Sequence, residues 1–351
     1  MEQKQILKEQ EKFIMMNNFN NNGTDNNSNN NNSNNGGFIM AQGTITTMEA
    51  FAGTVKSAME AYYGEDYRVS VQDVNKNNGL VLTGLTILKK DCNIAPTIYL
   101  NQVFKQYQEG RTMESICREI IDVYEEHKVH TDFDVSAVTD FTKVQNRICY
   151  KLINAEKNAE LLVDAPHVML EDLAVIFYIL VSQDSEGTGT ITIRDNMLSF
   201  WDVDADTLYE LALTNTQRLF RGSVQSMASV MTEILSHKLD EESAQEFYDM
   251  MVGEDDMIPM YVCTNTIKLN GAGVILYQGL LQEFADRVGS DFYILPSSIH
   301  ETLLIPVNGD MDIEYLRDMV RTVNRTEVAP DEILSDSVYR YNRLLDRVEL
   351  A

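Results

Sequence analysis

The sequence predicts an α+β fold of antiparallel sheets with segregated helices, divided into two subdomains. The first observation is helical: in residues 48–63, apolar side chains recur at three- and four-residue spacing. The second is the alternation of apolar and polar residues in several short segments, which is typical of half-buried strands. The third is the turn chemistry between strands, such as Asn77-Asn78-Gly79. With 351 residues, the chain is long enough to bury a sizeable core.

The region 44–236 is predicted to form the first α+β subdomain. Gly64 ends its first helix, because glycine readily adopts the backbone conformation that stops a helix. The apolar run 173–181 fits either a buried strand or a short core helix, since periodicity alone does not separate the two. The other predicted elements are helices at 48–63, 97–109, 112–127, 208–220 and 224–237, and strands at 68–74, 80–88, 146–153 and 188–193.

The region 259–351 is predicted to form the second α+β subdomain, after an acidic linker at 237–258. Eight carboxylates and a single lysine lie between residues 237 and 256, which favours a solvated helix and linker. The predicted elements that follow are strands at 260–264, 272–277, 292–295, 302–307 and 338–341, and helices at 280–288 (ended by Gly289) and 313–324.

The first 43 residues are predicted to be a disordered, Asn-rich extension. Residues 1–16 could form one short amphipathic helix, but 13 of the 19 residues from 17 to 35 are asparagine. Such a tract has no apolar surface to bury, which favours a tether. Met40 is an alternative start, so it stays open whether residues 1–39 belong to the native product.

The charge balance excludes several classes of partner. The chain has 54 Asp and Glu against 28 Lys and Arg, a net charge of −26. Direct binding to nucleic acid or docking on an anionic membrane would need clustered cations instead. The sequence lacks a secretory signal and an apolar run of the roughly 20 residues that span a bilayer. Its four cysteines form no CxxC pair, so we expect a reduced, soluble, cytoplasmic protein.

The segment LPSSIHE holds the densest cluster of nucleophile, base and carboxylate types: Ser297, Ser298, His300 and Glu301. A serine nucleophile needs a histidine within hydrogen-bond reach and a third group that orients the ring. Neighbouring residues of a hairpin usually point to opposite faces, and no GxSxG elbow is present. Turn formation at Pro-Ser-Ser is therefore the simpler interpretation, and the four residues remain weak catalytic candidates.

Asp202, Asp204 and Asp206 have the spacing of the first three ligands of a calcium loop. The sixth position is Thr207 and the twelfth is Leu213, so both the sharp turn and the bidentate carboxylate of such a loop are missing. Asp204 or Asp206 as the N-cap of the next helix explains the acids more simply.

Two further patterns are weak, and the sequence predicts neither a cofactor nor a metal site. Gly271 and Gly273 form a GxG without the third glycine of a dinucleotide fingerprint, which favours tight turning before a strand. His127 and His130 lie near several carboxylates, but solvated side chains at a helix end account for them better than a divalent metal. These carboxylates are Glu125, Glu126, Asp132 and Asp134.

Seven runs together closely resemble the domain-of-unknown-function family numbered 5688. The runs are IAPTIYLNQ (94–102), VYEEHKV (123–129), FDVS (133–136), KLINAEKN (151–158), DLAVIFYIL (172–180), LPSSIHE (295–301) and EVAPDEILSDSVYRYNR (327–343). The resemblance covers about residues 48–350 and implies a cytoplasmic protein of an anaerobic gut bacterium. It implies no activity, cofactor or catalytic residue. The Asn-rich extension departs from the family pattern.

The leading functional hypothesis is a non-catalytic module that binds another protein or a small ligand, because no catalytic motif is complete. One alternative is a hydrolase that uses Ser298 or Ser297 with His300. Another is an acidic mimic of nucleic acid, which would require the carboxylates to form one extended stripe. We expect an even scatter of charge instead, because arginines such as Arg321 intersperse the C-terminal acids.

Overall fold

In the computed structural model, the described residues are 15–16, 45–128, 136–184, 187–236, 259–309 and 311–351. They confirm the α+β class, with helices and three largely antiparallel sheets. The chain divides into two compact units. Unit 1 takes the described residues of Met1–Lys76, Val81–Asp134 and Ser182–Gly189, and unit 2 those of Asn77–Leu80, Val135–Val181 and Thr190–Ala351. The predicted acidic linker lies outside the described residues. So does the predicted N-terminal extension, with the exception of Met15–Met16.

Helices and strands are numbered separately in chain order. The helices are α1 (Met48–Tyr63), α2 (Asn101–Gln108), α3 (Met113–His127), α4 (Ser136–Thr139), α5 (Phe141–Val144), α6 (Ala159–Leu162), α7 (Asp195–Trp201), α8 (Ala205–Leu219), α9 (Met227–Ser236), α10 (Leu280–Val288) and α11 (Ile313–Thr326). The strands are β1 (Met15–Met16), β2 (Tyr67–Asn75), β3 (Val81–Lys89), β4 (Thr97–Tyr99), β5 (Ile148–Asn154), β6 (His167–Leu170), β7 (Leu173–Asp184), β8 (Gly187–Thr192), β9 (Gly222–Ser226), β10 (Tyr261–Asn265), β11 (Phe292–Pro296), β12 (Thr302–Pro306), β13 (Tyr339–Asn342) and β14 (Arg347–Leu350).

Unit 1 is a four-stranded sheet, β1-β4-β3-β2, whose apolar face packs on helices. The long β2–β3 ladder is antiparallel, and β1 joins β4 in parallel. Helix α1 begins at the cap Thr47, whose side chain accepts the Ala50 N–H, and ends at Gly64 as predicted. Phe51 and Leu85 are among the fully buried side chains that join the helix to the sheet.

Unit 2 is built around a six-stranded sheet, β14-β13-β11-β12-β10-β9, in which neighbouring strands pair antiparallel. A second sheet of this unit pairs β5 and β6 with β7 over residues 173–179. The apolar run 173–181 is therefore part of a strand, which settles that ambiguity. The largest core cluster lies in this unit, and α11 packs on a smaller cluster that includes Leu295 and Ile305.

Several predicted elements are wrong, and each has a local physical cause. The predicted helix 97–109 begins as strand β4, because Thr97–Tyr99 pairs with β3 and that pairing overrides the helical pattern. The predicted helix 224–237 begins as strand β9, and α9 starts where Ser226 Oγ accepts the Ser229 N–H. The predicted strand 272–277 is a 3₁₀ helix, Gly271–Leu276, entered through the left-handed Asn270.

Candidate functional site

The LPSSIHE turn joins β11 to β12 and contains the four predicted site residues. The turn is closed by its own backbone, since the Ser298 N–H donates to the Glu301 carbonyl oxygen at 3.1 Å. It is also attached to β10, because Thr264 Oγ1 donates to the carbonyl oxygen of His300 at 2.7 Å. The turn is thus fixed on both sides by hydrogen bonds.

His300 is a buried histidine, with 2% of its surface exposed. Its Nδ1 accepts the backbone N–H of Asn270 at 3.1 Å, so the neutral ring carries its proton on Nε2. Burial, with a smaller contribution from the charge of Lys151, lowers the pKa of His300 to about 4. The ring is therefore neutral near pH 7.

The two serine hydroxyls are engaged by other groups of the turn. Ser298 Oγ accepts the backbone N–H of His300 at 3.0 Å, which is a local turn interaction. Ser297 Oγ donates to Glu301 Oε1 at 3.3 Å. Burial raises the pKa of Glu301, and the Ser297 hydrogen bond and the charge of Lys268 oppose that rise. These bonds favour the turn interpretation of Pro-Ser-Ser, and the catalytic role stays a prediction.

A second turn of unit 2, between β13 and β14, carries two exposed leucines that the sequence analysis did not single out. Leu344 is 95% exposed and Leu345 is 56% exposed. Their backbone N–H groups both donate to Asn342 Oδ1 at 3.1 Å, and Asp346 closes the turn with a left-handed backbone. We call Leu344 and Leu345 the leucine tip.

Ion pairs and hydrogen bonds hold the base of this hairpin. Arg340 donates twice to Asp291, with Nη2 at 2.6 Å from Oδ2. The backbone N–H of Arg343 donates to the same carboxylate at 3.1 Å, and its guanidinium pairs with Asp286 at 2.9 Å. Burial raises the pKa of Asp291, but the hydrogen bonds and charges of Arg343 and Arg340 outweigh burial and lower this pKa below its ordinary value. The leucine tip is therefore presented on an anchored turn.

A cavity of about 310 Å³ lies next to the leucine tip. Leu170, Ile275 and Val348 contribute apolar walls, and the exposed Gln278 lies among its polar lining. The Tyr341 hydroxyl, also in the lining, bonds to Asp346 Oδ1 at 2.6 Å and to Gln282 Oε1 at 2.9 Å. The volume is at the lower end of the ~300–1,000 Å³ of small-molecule sites.

The weaker sequence patterns lie elsewhere. The N-cap interpretation is confirmed for Asp204, whose carboxylate accepts the Thr207 N–H at 2.8 Å at the start of α8. Asp206 lies in the first turn of that helix, and Asp202 ends α7 in a left-handed conformation. Over the described residues, no three His, Cys, Asp or Glu side chains are grouped as a metal site.

The remaining candidates have structural neighbours. His127, the last residue of α3, bonds through Nδ1 to the Val123 carbonyl oxygen at 2.9 Å. Its proposed companions His130, Asp132 and Asp134 lie outside the described residues. Gly273 packs on the ring of Tyr150, whose hydroxyl donates to the Gly273 carbonyl oxygen at 2.7 Å. Where the chain is described, it includes no helix both long and apolar enough to cross a bilayer.

Comparison with known families settles the membership of this chain. Residues 48–343 match the family of unknown function DUF5688. The chain belongs to that family. This confirms the resemblance carried by the seven sequence runs. Among curated proteins and among solved structures, nothing matches the chain.

Residues of four family runs meet around the segment 330–335, which belongs to no strand. These runs are 151–158, 172–180, 295–301 and 327–343. Each of its six carbonyl oxygens accepts a hydrogen bond, mostly from an asparagine amide. The donors are Asn78 Nδ2 to Pro330 (2.8 Å) and Ile333 (2.7 Å), Asn77 Nδ2 to Asp331 (2.7 Å), the Ile299 N–H to Glu332 (2.8 Å), Asn154 Nδ2 to Leu334 (3.1 Å) and Asn324 Nδ2 to Ser335 (2.9 Å).

Asp172 fixes the next part of the same segment. Its carboxylate accepts the hydroxyls of Ser335 at 2.6 Å and Ser337 at 3.0 Å, and also that of Tyr339. Burial and the bond to Asp172 raise the pKa of Tyr339, which keeps the phenol protonated. The family runs thus converge on a structural network, whereas the leucine tip lies just beyond residue 343, where the family match ends.

Proposed function

We propose that this protein is a non-catalytic protein-binding module that contacts its partner through the leucine tip. The observation that carries the proposal is the exposure of Leu344 (95%) and Leu345 (56%) on one turn. Covering two adjacent exposed leucines removes apolar surface from water, which is favourable, and apolar anchors that enter a pocket often dominate protein interfaces.

The rigidity of the turn supports this role. Binding costs conformational entropy whenever a flexible loop must become ordered. Here Asn342 fixes the backbone of the leucine tip, and Arg340 and Arg343 attach the base of the hairpin to Asp291. A partner would therefore meet an anchor that is already close to its bound conformation.

The arrangement of the reactive side chains supports binding over catalysis. A hydrolase needs a serine hydroxyl directed at an accessible histidine. The hydroxyls of Ser297 and Ser298 are engaged by Glu301 and by a backbone N–H, and His300 is buried. A nucleic-acid mimic would need one continuous acidic stripe, whereas residues 339–350 contain three arginines and two carboxylates.

The test is partner capture with matched variants. The full-length chain is immobilised and exposed to an extract of the native cells, and bound proteins are identified by mass spectrometry. The double variant Leu344→Asp/Leu345→Asp removes the anchor. Val163→Asp is the control, because Val163 is also a strongly exposed apolar residue of unit 2 (81%).

We expect the wild type and the Val163→Asp control to retain the same proteins, and the double variant to lose them at least tenfold. Equal recovery by the double variant, or no reproducible partner for the wild type, would contradict the proposal. An esterase and peptidase screen provides the complementary test, since an activity abolished by Ser298→Ala would revive the hydrolase alternative.

A further inference from the structure

We infer that the partner of the leucine tip is a second copy of this chain, with each tip seated in the other copy's cavity. This inference rests on the proposed function. The inference is based on the position of the leucine tip, which projects from unit 2 directly beside the cavity. The tip and part of the cavity lining are consecutive in sequence. Leu344 and Leu345 form the projection, and the next residues, Asp346, Arg347 and Val348, line the cavity.

A patch that contains both a projection and a depression can pair with an identical patch across a two-fold axis. In such an interface the same patch is used on both subunits, so residue i contacts j while j contacts i. One rotation can then place two projections in two depressions at once. The wall of Leu170, Ile275 and Val348 offers apolar surface to an entering leucine.

The size of the cavity also suits side chains. Its volume of about 310 Å³ is small for an organic cofactor but adequate for a pair of aliphatic side chains. The exposed Gln278 lies in the lining, where it can hydrogen-bond an incoming backbone.

The charge distribution favours self-association at this face over others. Two copies that each carry −26 repel one another over most of their surfaces. The hairpin 339–350 is different, because its three arginines nearly balance its two carboxylates and the neighbouring Asp286 and Asp291, which leaves a local charge of −1. The neighbouring Asp286 and Asp291 are already paired with Arg343 and Arg340. Two copies can thus approach through this face with little repulsion.

The adjacent charges add a complementary pair. Asp346 and Arg347 are neighbours at the rim of the cavity, and both are exposed. Within one copy Arg347 pairs with Glu349 at 3.0 Å. A two-fold axis near the rim brings Asp346 of one copy towards the second copy's Arg347, where it adds a second carboxylate to that arginine, and the reverse contact forms by symmetry. Rim pairs of this kind set orientation and association rate more than affinity.

The test measures the oligomeric state of the purified full-length chain by sedimentation velocity over a concentration series. We expect the wild type to be a dimer that dissociates on dilution. Leu344→Asp/Leu345→Asp removes the projection, and Gln278→Trp narrows the cavity without altering the hairpin. Each should weaken the dimer at least tenfold, whereas the control Val163→Asp should leave it unchanged. Circular dichroism and urea unfolding verify that each variant is folded.

Mixing the two defective variants makes the test specific for reciprocal seating. A mixed dimer keeps one intact contact, because the Gln278→Trp chain supplies its tip and the double variant supplies its cavity. We therefore expect the mixture to associate more strongly than either variant alone. A dimer insensitive to Gln278→Trp would overturn the seating of the tip in the cavity.

A wild type that stays monomeric at every concentration would overturn the inference altogether. The proposed function would survive that result if capture still showed a different partner lost by the double variant and retained by the control. If capture also failed, both would be wrong. The two experiments therefore separate the failure of self-association from the failure of protein binding.

Discussion

Two turns of unit 2 connect antiparallel strands and use their side chains in opposite ways. The turn from Ser297 to Glu301 has two serines, a histidine and a carboxylate, yet all four form hydrogen bonds with groups of their own chain. The turn from Arg343 to Asp346 uses its polar groups to fix its backbone and leaves two leucines in solvent.

For locating a functional surface, the exposed fraction of a side chain is therefore a better indicator than the presence of chemically reactive residue types. A buried polar group must be hydrogen-bonded, so in a turn that is buried at His300 and half-buried at its serines and Glu301, such groups can serve a structural purpose. An exposed leucine has no such structural need. If the comparison is right, changes in the first turn should alter stability, and changes in the second should alter association.

The largest expected effect is at Gly271, which packs on the buried turn. A Cβ atom there would meet the carbonyl oxygen of His300 and Oγ1 of Thr264, and would lie 2.9 Å from the Asn265 backbone nitrogen. Two of these three are backbone atoms, so relief requires movement of β10 or of the turn. We expect Gly271→Ala to lower the free energy of unfolding by about 3 kcal/mol, measured by urea denaturation.

Gly53 is the control for this substitution. It lies within helix α1, and a Cβ atom there would meet nothing within 4 Å. Gly53→Ala should therefore stabilise the protein by about 1 kcal/mol through helix propensity. If Gly271→Ala proved as stable as the wild type, the buried turn would not be the tightly constrained structure described above.

His300 makes the folded protein less stable in acid. Its folded pKa of about 4 lies below the ordinary 6.5, so the unfolded chain takes up a proton first as the pH falls. Stability is therefore lost as the pH drops from about 6.5 to about 4, by about 3 kcal/mol over that window. The variant His300→Asn keeps a side-chain acceptor for the Asn270 N–H but does not titrate.

The measurement is the slope of unfolding free energy against pH for the wild type and for His300→Asn. The slope of the variant should be smaller between pH ~4 and ~6.5, whatever its stability at neutral pH. The raised pKa of Glu301 acts in the opposite direction in both proteins, so it cancels in the comparison. Parallel profiles would show that the histidine is not held neutral by burial.

The sequence predicted best those features whose information is local. Helix α1 was predicted at both ends, because its apolar spacing and Gly64 lie within one segment. The N-cap at Asp204 was predicted for the same reason. The strand prediction for Gly271–Leu276 is wrong, because the conformation of this segment depends on packing against Tyr150 and the His300 backbone, which are distant in sequence.

The candidate surface was missed for a similar reason. Exposure of Leu344 depends on which strands surround the hairpin, and no sequence pattern states this. A local signal is nevertheless present, because two turn-forming residues, Asn342 and Asp346, stand at the end of Tyr339–Asn342 and directly before Arg347–Leu350. Only the first of these strands was predicted, so the hairpin and its tip went unrecognised.

The smallest expected effect on the stability of a single copy is at the leucine tip. Leu344→Asp/Leu345→Asp should change the free energy of unfolding by no more than about 0.5 kcal/mol at the lowest usable protein concentration. The reason is that Leu344 has almost its whole surface in water and Leu345 more than half, so little packing is lost. A loss above ~1 kcal/mol under these conditions would mean that the leucines support their own fold.

Protein concentration then separates the two roles of a residue. Association stabilises the folded state by mass action, so the wild type should become more stable as its concentration rises. The double variant should not, and the difference between the two should widen from nearly zero at low concentration. Gly271→Ala should behave differently. Its clash lies inside one copy, so the loss of unfolding free energy relative to the wild type is already complete at the lowest protein concentration.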